Sequence, residues 1–379
     1  MTKAFKDAKA ARSSTYRSAL ARVVDRQYGP VDEFDLTTFD MLHLQVGRLF
    51  AALQGFAIEE TEICVSSCGE RLFGGQPRVR ISATVRLVVL GPTTRSPIVW
   101  QAGGIEADVS AWETGLLDAL PHELAAVQSG SALTFPWTGT IVLDPWVASL
   151  LLHECIGHTS EADNFLDYVL PRGISLGHRW TDEALTVLDD PTHPNRIGSY
   201  AFDDDGEPAK PTTVVRDGVW TDLLHCRSTA STFASARSGN GRRVPGSEMT
   251  LPRMSVLVAM PGTYDIRTMI GGIEDGWYCS GSWGGGSIGN QYVLRPTYAR
   301  RIRDGRLEAG YLRRFELRGD KFAAIAAIDA IGDVTHHFDP AFGCDKAGQN
   351  NLPVSFSAPH LRLRGVNLTP LRAQTASPK

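Results

Sequence analysis

The sequence predicts an α+β fold, in which a smaller N-terminal α/β region precedes a larger, mostly antiparallel β-rich domain that carries one prominent helix. Three observations predict this fold. The first third alternates helix-spaced apolar positions with β-like runs, a helix candidate follows residue 144, and from about Thr186 short β-rich runs alternate with Gly, Pro and Asp turns. A length of 379 residues allows two domains. We place them at 1–135 and 136–379.

The first third contains both kinds of element. Apolar residues at helical spacing, such as Leu42, Val46 and Leu49, predict helices. The predicted helices cover residues 14–27, 38–55 and 108–127. Runs rich in β-branched residues predict strands over 62–66, 79–90 and 97–101. A linker is then predicted over 128–132, and a further strand over 138–143.

The prominent helix is predicted to run from Pro145 to about Phe165. Asp144 is a suitable N-cap because its side chain can accept a hydrogen bond from the first turn, and a proline at the first helical position needs no donor. Beyond residue 186, the turns at 203–206, 216–218 and 303–305 combine Asp with Gly, which is typical of β-hairpins. The second domain is therefore predicted to be a mostly antiparallel sheet or barrel-like body.

Composition argues against two classes of partner. A formal net charge of -4 gives no basic face for nucleic acid. The chain has no apolar run near the ~20 residues of a membrane span and no signal-like start. We therefore expect a cytoplasmic protein without nucleic-acid or membrane partners. In such a compartment the six scattered cysteines are thiols by default, so any cysteine with a special role must be argued as a ligand or nucleophile.

The candidate site is the run His153-Glu154-Cys155-Ile156-Gly157-His158. Zinc favours imidazole ligands, and a helix fixes such side chains relative to one another. The commoner His-Glu-x-x-His spacing puts both rings on one helix face, whereas five steps of about 100° put them roughly 140° apart. The helix must therefore widen or break between the two histidines. Gly157 is where we expect that distortion.

If a metal binds here, the roles follow from the chemistry. His153 and His158 would be ligands, and Glu154 would take a proton from the metal-bound water and pass it to the leaving amine. Glu161, one turn beyond His158, could be a further ligand or could orient an imidazole. Because two histidines five residues apart also occur by chance, the run alone is a weak signal. A third ligand must come from elsewhere in the chain.

Several segments carry a resemblance to a known family. They include LLHECIGHTSEAD, the stretch 188–220, SGNGRRVPG, PRMSVLVAMPGTY and FGCDKAGQNNLPVSFSAPHLRL. In this order and spacing the chain resembles the TldD/PmbA family of metallopeptidases over nearly all of residues 136–365. The N-terminal region matches the family poorly and looks shortened. The Gly-rich segment 281–289 also departs from the usual sequence of the family, so the substrate specificity is expected to differ from that of other members.

The resemblance implies a site and an activity. The third ligand would be Cys344, and a His2Cys set with one open position suits zinc. The resemblance implies a zinc-dependent peptidase or amide hydrolase. The shortened N-terminal region and the Arg-rich composition suggest that it acts in natural-product maturation and cleaves a peptide or an aminoacyl amide. The resemblance also implies a homodimer or a heterodimer with a TldD/PmbA-type paralogue.

Other interpretations remain at this point. The chain could be the non-catalytic, substrate-gating subunit of such a heterodimer, although those members usually lose a histidine or the cysteine. The family's old name suggests a gyrase-binding regulator. Residues 281–289 are expected to form a β-hairpin or an open groove, which could bind an extended substrate through main-chain hydrogen bonds. His336 and His337 point to opposite strand faces, so they are not expected to ligate together. A nucleophilic role for Cys155 is disfavoured because both rings are committed to the metal.

Overall fold

The computed structural model describes two parts of the chain. The first comprises the backbone of residues 19–23, 60–70, 78–90 and 95–104; the second comprises residues 122–371 without 124, 127–128, 195, 245–246, 283 and 341–342. The described residues divide into two compact units, one holding those up to 129 together with residue 340, and the other holding the remainder. The predicted domain boundary at 135/136 stays a prediction, and the predicted helix over 38–55 lies outside the described residues.

The N-terminal unit contains a four-stranded sheet in the order β1-β2-β3-β4. Its strands are β1 (Ala19–Val23), β2 (Glu60–Glu70), β3 (Arg78–Leu90) and β4 (Arg95–Gly104). β1 pairs parallel to β2, and the other pairs are antiparallel. The strands predicted over 62–66, 79–90 and 97–101 are confirmed. Of the helix predicted over 108–127, residues 122–123 and 125–126 are helical and the others lie outside the described residues.

Two predictions for this half of the chain are wrong. The helix predicted over 14–27 is a strand at Ala19–Val23, where each residue pairs with one of Thr61–Val65. The spacing of its apolar residues suits a helix, but partners about 40 positions away decide the backbone, and tertiary pairing overrides weak local propensity. The linker predicted over 128–132 is also wrong at Ser131–Ala132, which form a short strand parallel to Leu312–Arg313.

The second unit is rich in short strands. They are β5 (Ser131–Ala132), β6 (Trp137–Leu143), β7 (Val187–Asp189), β8 (Thr212–Arg216), β9 (Val219–Trp220), β10 (Gly241–Arg242), β11 (Leu251–Pro252), β12 (Val256–Ala259), β13 (Asp275–Ser280), β14 (Gly285–Ile288), β15 (Gln291–Leu294), β16 (Tyr298–Arg303), β17 (Arg306–Leu307), β18 (Leu312–Arg313), β19 (Phe315–Asp320), β20 (Ile328–Ile331), β21 (His336–Phe338), β22 (Cys344–Lys346), β23 (Gln349–Leu352), β24 (Ser355–Ala358) and β25 (Leu361–Pro370). Helical segments are fewer and mostly short. The α-helices are α1 (Pro145–Leu152), α2 (His158–Ser160), α3 (Ala162–Asn164), α4 (Arg227–Thr232), α5 (Ile266–Gly271) and α6 (Lys321–Ala326). Two π-helical turns (His153–Gly157 and Phe165–Val169) and a 3-10 turn (Leu170–Arg172) complete them.

Two large sheets organise this unit. One runs β14-β15-β19-β25-β6-β13-β16-β18-β5, with β17 and β20 paired beside it, and the other runs β21-β24-β12-β7-β8-β9. Most pairs are antiparallel, and the parallel exceptions are β5–β18, β6–β13 and β12–β24. This confirms the α+β class and the mostly antiparallel second domain. The predicted hairpin turns at 216–218 and 303–305 are confirmed: Asp217 and Asp304 have φ 48°, and the glycine after each also has positive φ, as primed turns require.

Helix α1 lies in the core between the two large sheets. It packs against β6, β13 and β15 of one sheet and against β21 and β24 of the other. All of its residues except the partly buried Trp146 are buried, as expected of a helix covered on nearly every side. Burying each such Val or Leu contributes about 1.5–3 kcal/mol. The core therefore fixes the position of whatever follows Leu152. Among the described residues, no helix has the length and apolar character needed to cross a bilayer.

Candidate metal centre

Helix α1 begins as predicted. The Asp144 side chain accepts a hydrogen bond from the Val147 amide at 2.8 Å, and Pro145 occupies the first turn. The other Asp144 oxygen accepts hydrogen bonds from Ser280 Oγ at 2.6 Å and from the Gly281 amide at 2.9 Å. One buried carboxylate thus joins the start of the helix to the end of β13. This contact fixes where the residues one turn beyond α1 lie.

The predicted widening between the two histidines is confirmed. Residues His153–Gly157 form a π-helical turn, and the His158 amide donates to the carbonyl oxygen of His153. In a π turn the residue five positions on lies above the first, as the fourth does in an α-helix. The ring centroids of His153 and His158 are accordingly 4.7 Å apart. The π turn accommodates the extra residue of the motif, so both imidazoles lie on the same side of the helix.

Gly157 has a different function from the one expected. Its backbone is right-handed helical (φ -57°, ψ -63°), so no glycine-only conformation is involved. A Cβ placed there would lie 2.0 Å from the sulfur of Met254. The glycine is required because Met254, itself buried, packs directly on the π turn. The π turn and the glycine therefore have separate causes: the turn accommodates the spacing of the two histidines, and the glycine leaves room for Met254.

The helix breaks at Glu161. This residue is extended (φ -67°, ψ 122°) and bridges Leu224, whose amide and carbonyl bond to Ser160 and Ala162. The break directs the carboxylate back to the preceding turn, where Glu161 Oε2 lies 2.9 Å from His158 Nδ1. Glu161 therefore contacts the histidine on the side away from Cys344, as a group that orients an imidazole does.

Cys344 completes the cluster from a distant part of the sequence. It begins the hairpin β22–β23, and its Sγ lies 3.3 Å from His158 Nε2 across 186 residues of chain. One ligand atom each from His153, His158 and Cys344 lies within 4.8 Å of the other two. Glu154 and Glu161 do not belong to this group.

The donor set fits zinc. Bond lengths of about 2.05 Å to nitrogen and 2.3 Å to sulfur place ligand atoms of one tetrahedral ion about 3.4–3.6 Å apart. The 3.3 Å between Cys344 and His158 already matches, and the spread of up to 4.8 Å needs a contraction of about an ångström. His153 Nδ1 is buried without a hydrogen-bond partner in the described part of the chain. A buried nitrogen without a partner destabilises the folded protein, and a group that binds this nitrogen would remove that cost.

The electrostatics also suit a cation. Burial raises the pKa of the Cys344 thiol, but His158 and His153 outweigh burial and hold this pKa at about 5. For Glu161, burial is again outweighed, chiefly by Lys346 and then by His158, so its pKa lies well below the usual range. Both groups are therefore anionic near neutral pH, which is the form that binds or supports a metal.

Glu154 lies next to the ligands rather than among them. It is 7% exposed on the π turn, beside the first histidine. Its charge acts on Lys321, the first residue of α6, which is 4% exposed. Burial lowers the pKa of Lys321, and the surrounding acidic groups only partly offset it. A carboxylate in this position is screened from bulk water but has a cationic neighbour.

Sequence reasoning missed three cations around the cluster: Arg253, Lys321 and Lys346. The chain has seven lysines, and the position of Lys346 two residues after Cys344 was a usable signal. Other predictions resolve simply. His337 Nδ1 bonds Ser357 Oγ at 2.6 Å, and neither His336 nor His337 joins the metal cluster. Residues 281–289 are predicted to form a β-hairpin or an open groove; of these, Gly285–Ile288 are β14, the first strand of a hairpin whose second strand, β15, follows the segment.

Comparisons with known proteins agree with this geometry. Residues 137–370, more than half of the chain, match the family model described as the PmbA/TldA metallopeptidase C-terminal domain. A metalloprotease of Synechocystis sp. is 34% identical over 252 residues, which are 64% of this chain and 53% of that protein. The zinc metalloprotease TldD homolog of Saccharolobus solfataricus is 27% identical over 230 residues, 59% of this chain and 50% of that protein. The chain spans about half the length of the curated relatives it matches.

A solved structure shares the fold. TldE from Thermococcus kodakarensis is similar with a TM-score of 0.62 and 16% identity, covering 78% of this chain and 64% of that chain. At this identity the likeness concerns the arrangement of sheets and helices, and it supports the α+β architecture described above.

Proposed function

We propose that this chain, which belongs to the TldD/PmbA family of metallopeptidases, is a zinc-dependent peptidase or amide hydrolase. One observation carries the proposal. Ligand atoms of His153, His158 and Cys344 converge within 4.8 Å although the cysteine lies 186 residues beyond the second histidine. Two imidazoles and one thiolate with a fourth position open are a catalytic zinc set.

The chain's own residues define how the ion is held. With Glu161 ionised, His158 Nδ1 carries the proton and donates it to the carboxylate. Nε2 faces Cys344. Burial lowers the pKa of His158, but Cys344 and Glu161 outweigh burial and hold this pKa well above its ordinary value. Without metal the two side chains therefore form an imidazolium–thiolate pair, and metal binding releases the Nε2 proton.

Glu154 is the proposed general base and acid. It accepts a proton from the attacking water and returns it to the leaving amine, as its position beside His153 allows. Zinc, when bound, would acidify that water and polarise the scissile carbonyl. Helix α6, which begins at the buried Lys321, packs against the π turn that carries this carboxylate.

An extended peptide has a place to bind. Strand β14 lies against the π turn and, among the described residues, pairs with β15 on one side only. Ile288 and Gln291 flank the two-residue turn and form a hydrogen-bonded pair, so the alternate residues Gly285 and Ser287 direct their main-chain groups to the free edge. These groups could bind substrate main chain irrespective of its side chains. We therefore propose a peptide or aminoacyl-amide substrate, with maturation of a peptide natural product as one setting.

Assembly is part of the proposal. Family resemblance favours two subunits, either a homodimer or a heterodimer with a TldD/PmbA-type paralogue. The alternative function, a non-catalytic partner subunit that gates substrate, is disfavoured because both histidines, Glu154 and the cysteine are present. Light scattering on the purified protein, alone and with a co-expressed paralogue, distinguishes the two assemblies.

The test combines metal content with hydrolysis. Wild type and Glu154→Gln should each hold about one zinc per chain, and Cys344→Ser should lose it. Glu154→Gln should lower kcat on peptide or aminoacyl-amide substrates by about 10²–10⁴-fold. Glu308→Gln, the same change at an exposed site, is the matched control. The peptidase proposal fails if wild type binds no metal, or if the Glu154 and Glu308 variants hydrolyse substrate equally well.

A further inference from the structure

A set of buried ionic contacts surrounds the three ligands and is not used by the mechanism above. Lys346, two residues after Cys344, donates from Nζ to Asp163 Oδ1 at 2.6 Å and to the Pro252 carbonyl at 3.0 Å. The same ammonium forms an ion pair with Glu161 Oε2 at 3.0 Å. The side chain is 9% exposed and has little freedom to move.

Arg253 is the second cation near the ligands. It is fully buried, and its Nη2 donates to the main-chain carbonyl of Cys344 at 2.6 Å. Its Nε lies 3.9 Å from Glu161 Oε1, an ion-pair distance without a hydrogen bond. The next residue, Met254, packs on Gly157.

These contacts join three segments that are far apart in sequence. The helix break around Glu161, the segment Pro252–Met254 and the hairpin that begins at Cys344 meet at these contacts. Burying ions costs several kcal/mol each, which their mutual attraction does not reliably repay. Contacts of this kind fix relative position more than they add stability.

We propose that Lys346 and Arg253 are positioning residues of the metal centre. Lys346 holds Glu161 in the orientation that sets the proton of His158 on Nδ1, and Arg253 holds the main chain that presents Cys344. The two segments that carry the ligands are thereby held in place, with the segment Pro252–Met254 as the third partner, before zinc arrives. The inference rests on the proposed metal site and concerns how that site is built.

Charge alone predicts the opposite result, which makes the inference testable. Removing a cation close to a divalent ion favours metal binding through space. If Lys346 acts by position, its loss must instead weaken binding, because Glu161 is released from His158. Loss of a group that orients a metal ligand typically costs about 10–100-fold in affinity.

The experiment measures zinc affinity of the full chain by competition with a chromophoric chelator, and it needs no substrate. We expect Lys346→Met to raise the zinc dissociation constant about 10–100-fold. Asp163→Asn is the matched control, because it neutralises the outer carboxylate but leaves the ammonium on Glu161; we expect a change below about threefold. Should Lys346→Met not fold, the double variant Asp163→Asn/Lys346→Met relieves the uncompensated charge and is compared with Asp163→Asn.

A cobalt spectrum tests the Arg253 contact. In the Co²⁺ protein the thiolate-to-metal charge-transfer band reports Cys344 ligation, and we expect Arg253→Lys, which keeps the charge but shortens the donor, to weaken it. Unchanged or tighter zinc binding in Lys346→Met, or equal losses in Lys346→Met and Asp163→Asn, would overturn the role of Lys346. A wild-type cobalt spectrum in Arg253→Lys would overturn that of Arg253. Wild type that binds neither metal would instead refute the proposed function.

Discussion

Replacing Gly157 by alanine distinguishes two explanations for the glycine in the metal-binding run. If the π turn needed glycine for its backbone, the right-handed φ and ψ of Gly157 would not be observed. In a helical backbone, alanine is favoured over glycine by about 0.5–1 kcal/mol. The backbone alone therefore predicts that Gly157→Ala stabilises the protein.

The packing predicts the reverse. The new methyl would lie 2.0 Å from the Met254 sulfur, with further Met254 atoms at 3.1 and 3.3 Å. Met254 is 1% exposed and must move within a filled core. Overpacking of this kind costs about 1–3 kcal/mol, and subtraction of the helical gain leaves a net loss of up to about 2.5 kcal/mol. For a domain of this size, that loss lowers the thermal midpoint by up to about 10 °C.

The assay is the thermal midpoint of chelator-treated protein, so that zinc binding does not add to the measured stability. Met254→Ala removes the obstructing side chain and is the second background. There, Gly157→Ala should be neutral or stabilising, because the methyl enters the space that Met254 vacates. A rise in the midpoint in the wild-type background, or the same loss in both backgrounds, would refute the explanation by close packing.

Two further predictions concern the substrate edge and pH. Ser287→Pro removes an amide donor at the free edge of β14 and should raise KM about 2–10-fold, because one hydrogen bond to the substrate is lost. Ser287→Ala keeps this amide and should leave KM near the wild-type value. Equal KM values for the two variants would argue against main-chain binding at this edge. Burial, assisted by His336, lowers the pKa of His360 from 6.5 to about 4. The unfolded chain therefore binds the proton more readily between these values, so stability should fall as pH drops from 6.5 to 4. His360→Gln should show a shallower fall in thermal midpoint over that range, and an unchanged slope would contradict the effect of His360.

Local patterns predicted the second domain well and the first domain less so. Asp144 and Pro145 mark a helix start whose hydrogen bonds lie within a few residues, so the sequence contains the whole cause. Ala19–Val23 is the contrary case, because its strand partner is about 40 residues away and nothing within the segment identifies that partner. Elements that are formed by local hydrogen bonds can be predicted from the sequence, whereas elements that depend on pairing with distant residues often cannot.

The candidate site divides in the same way. By itself, the spacing of His153 and His158 determined that a regular helix could not present both rings to one ion, and the backbone relieves this with a π turn between them. Family resemblance named Cys344, but only the tertiary structure brought its sulfur to 3.3 Å from His158. The contacts of Arg253 and Lys346 and the reason for Gly157 were likewise decided by packing between separate segments. Turn geometry is a property of consecutive residues, whereas a contact across 186 residues depends on the register and packing of every strand between them.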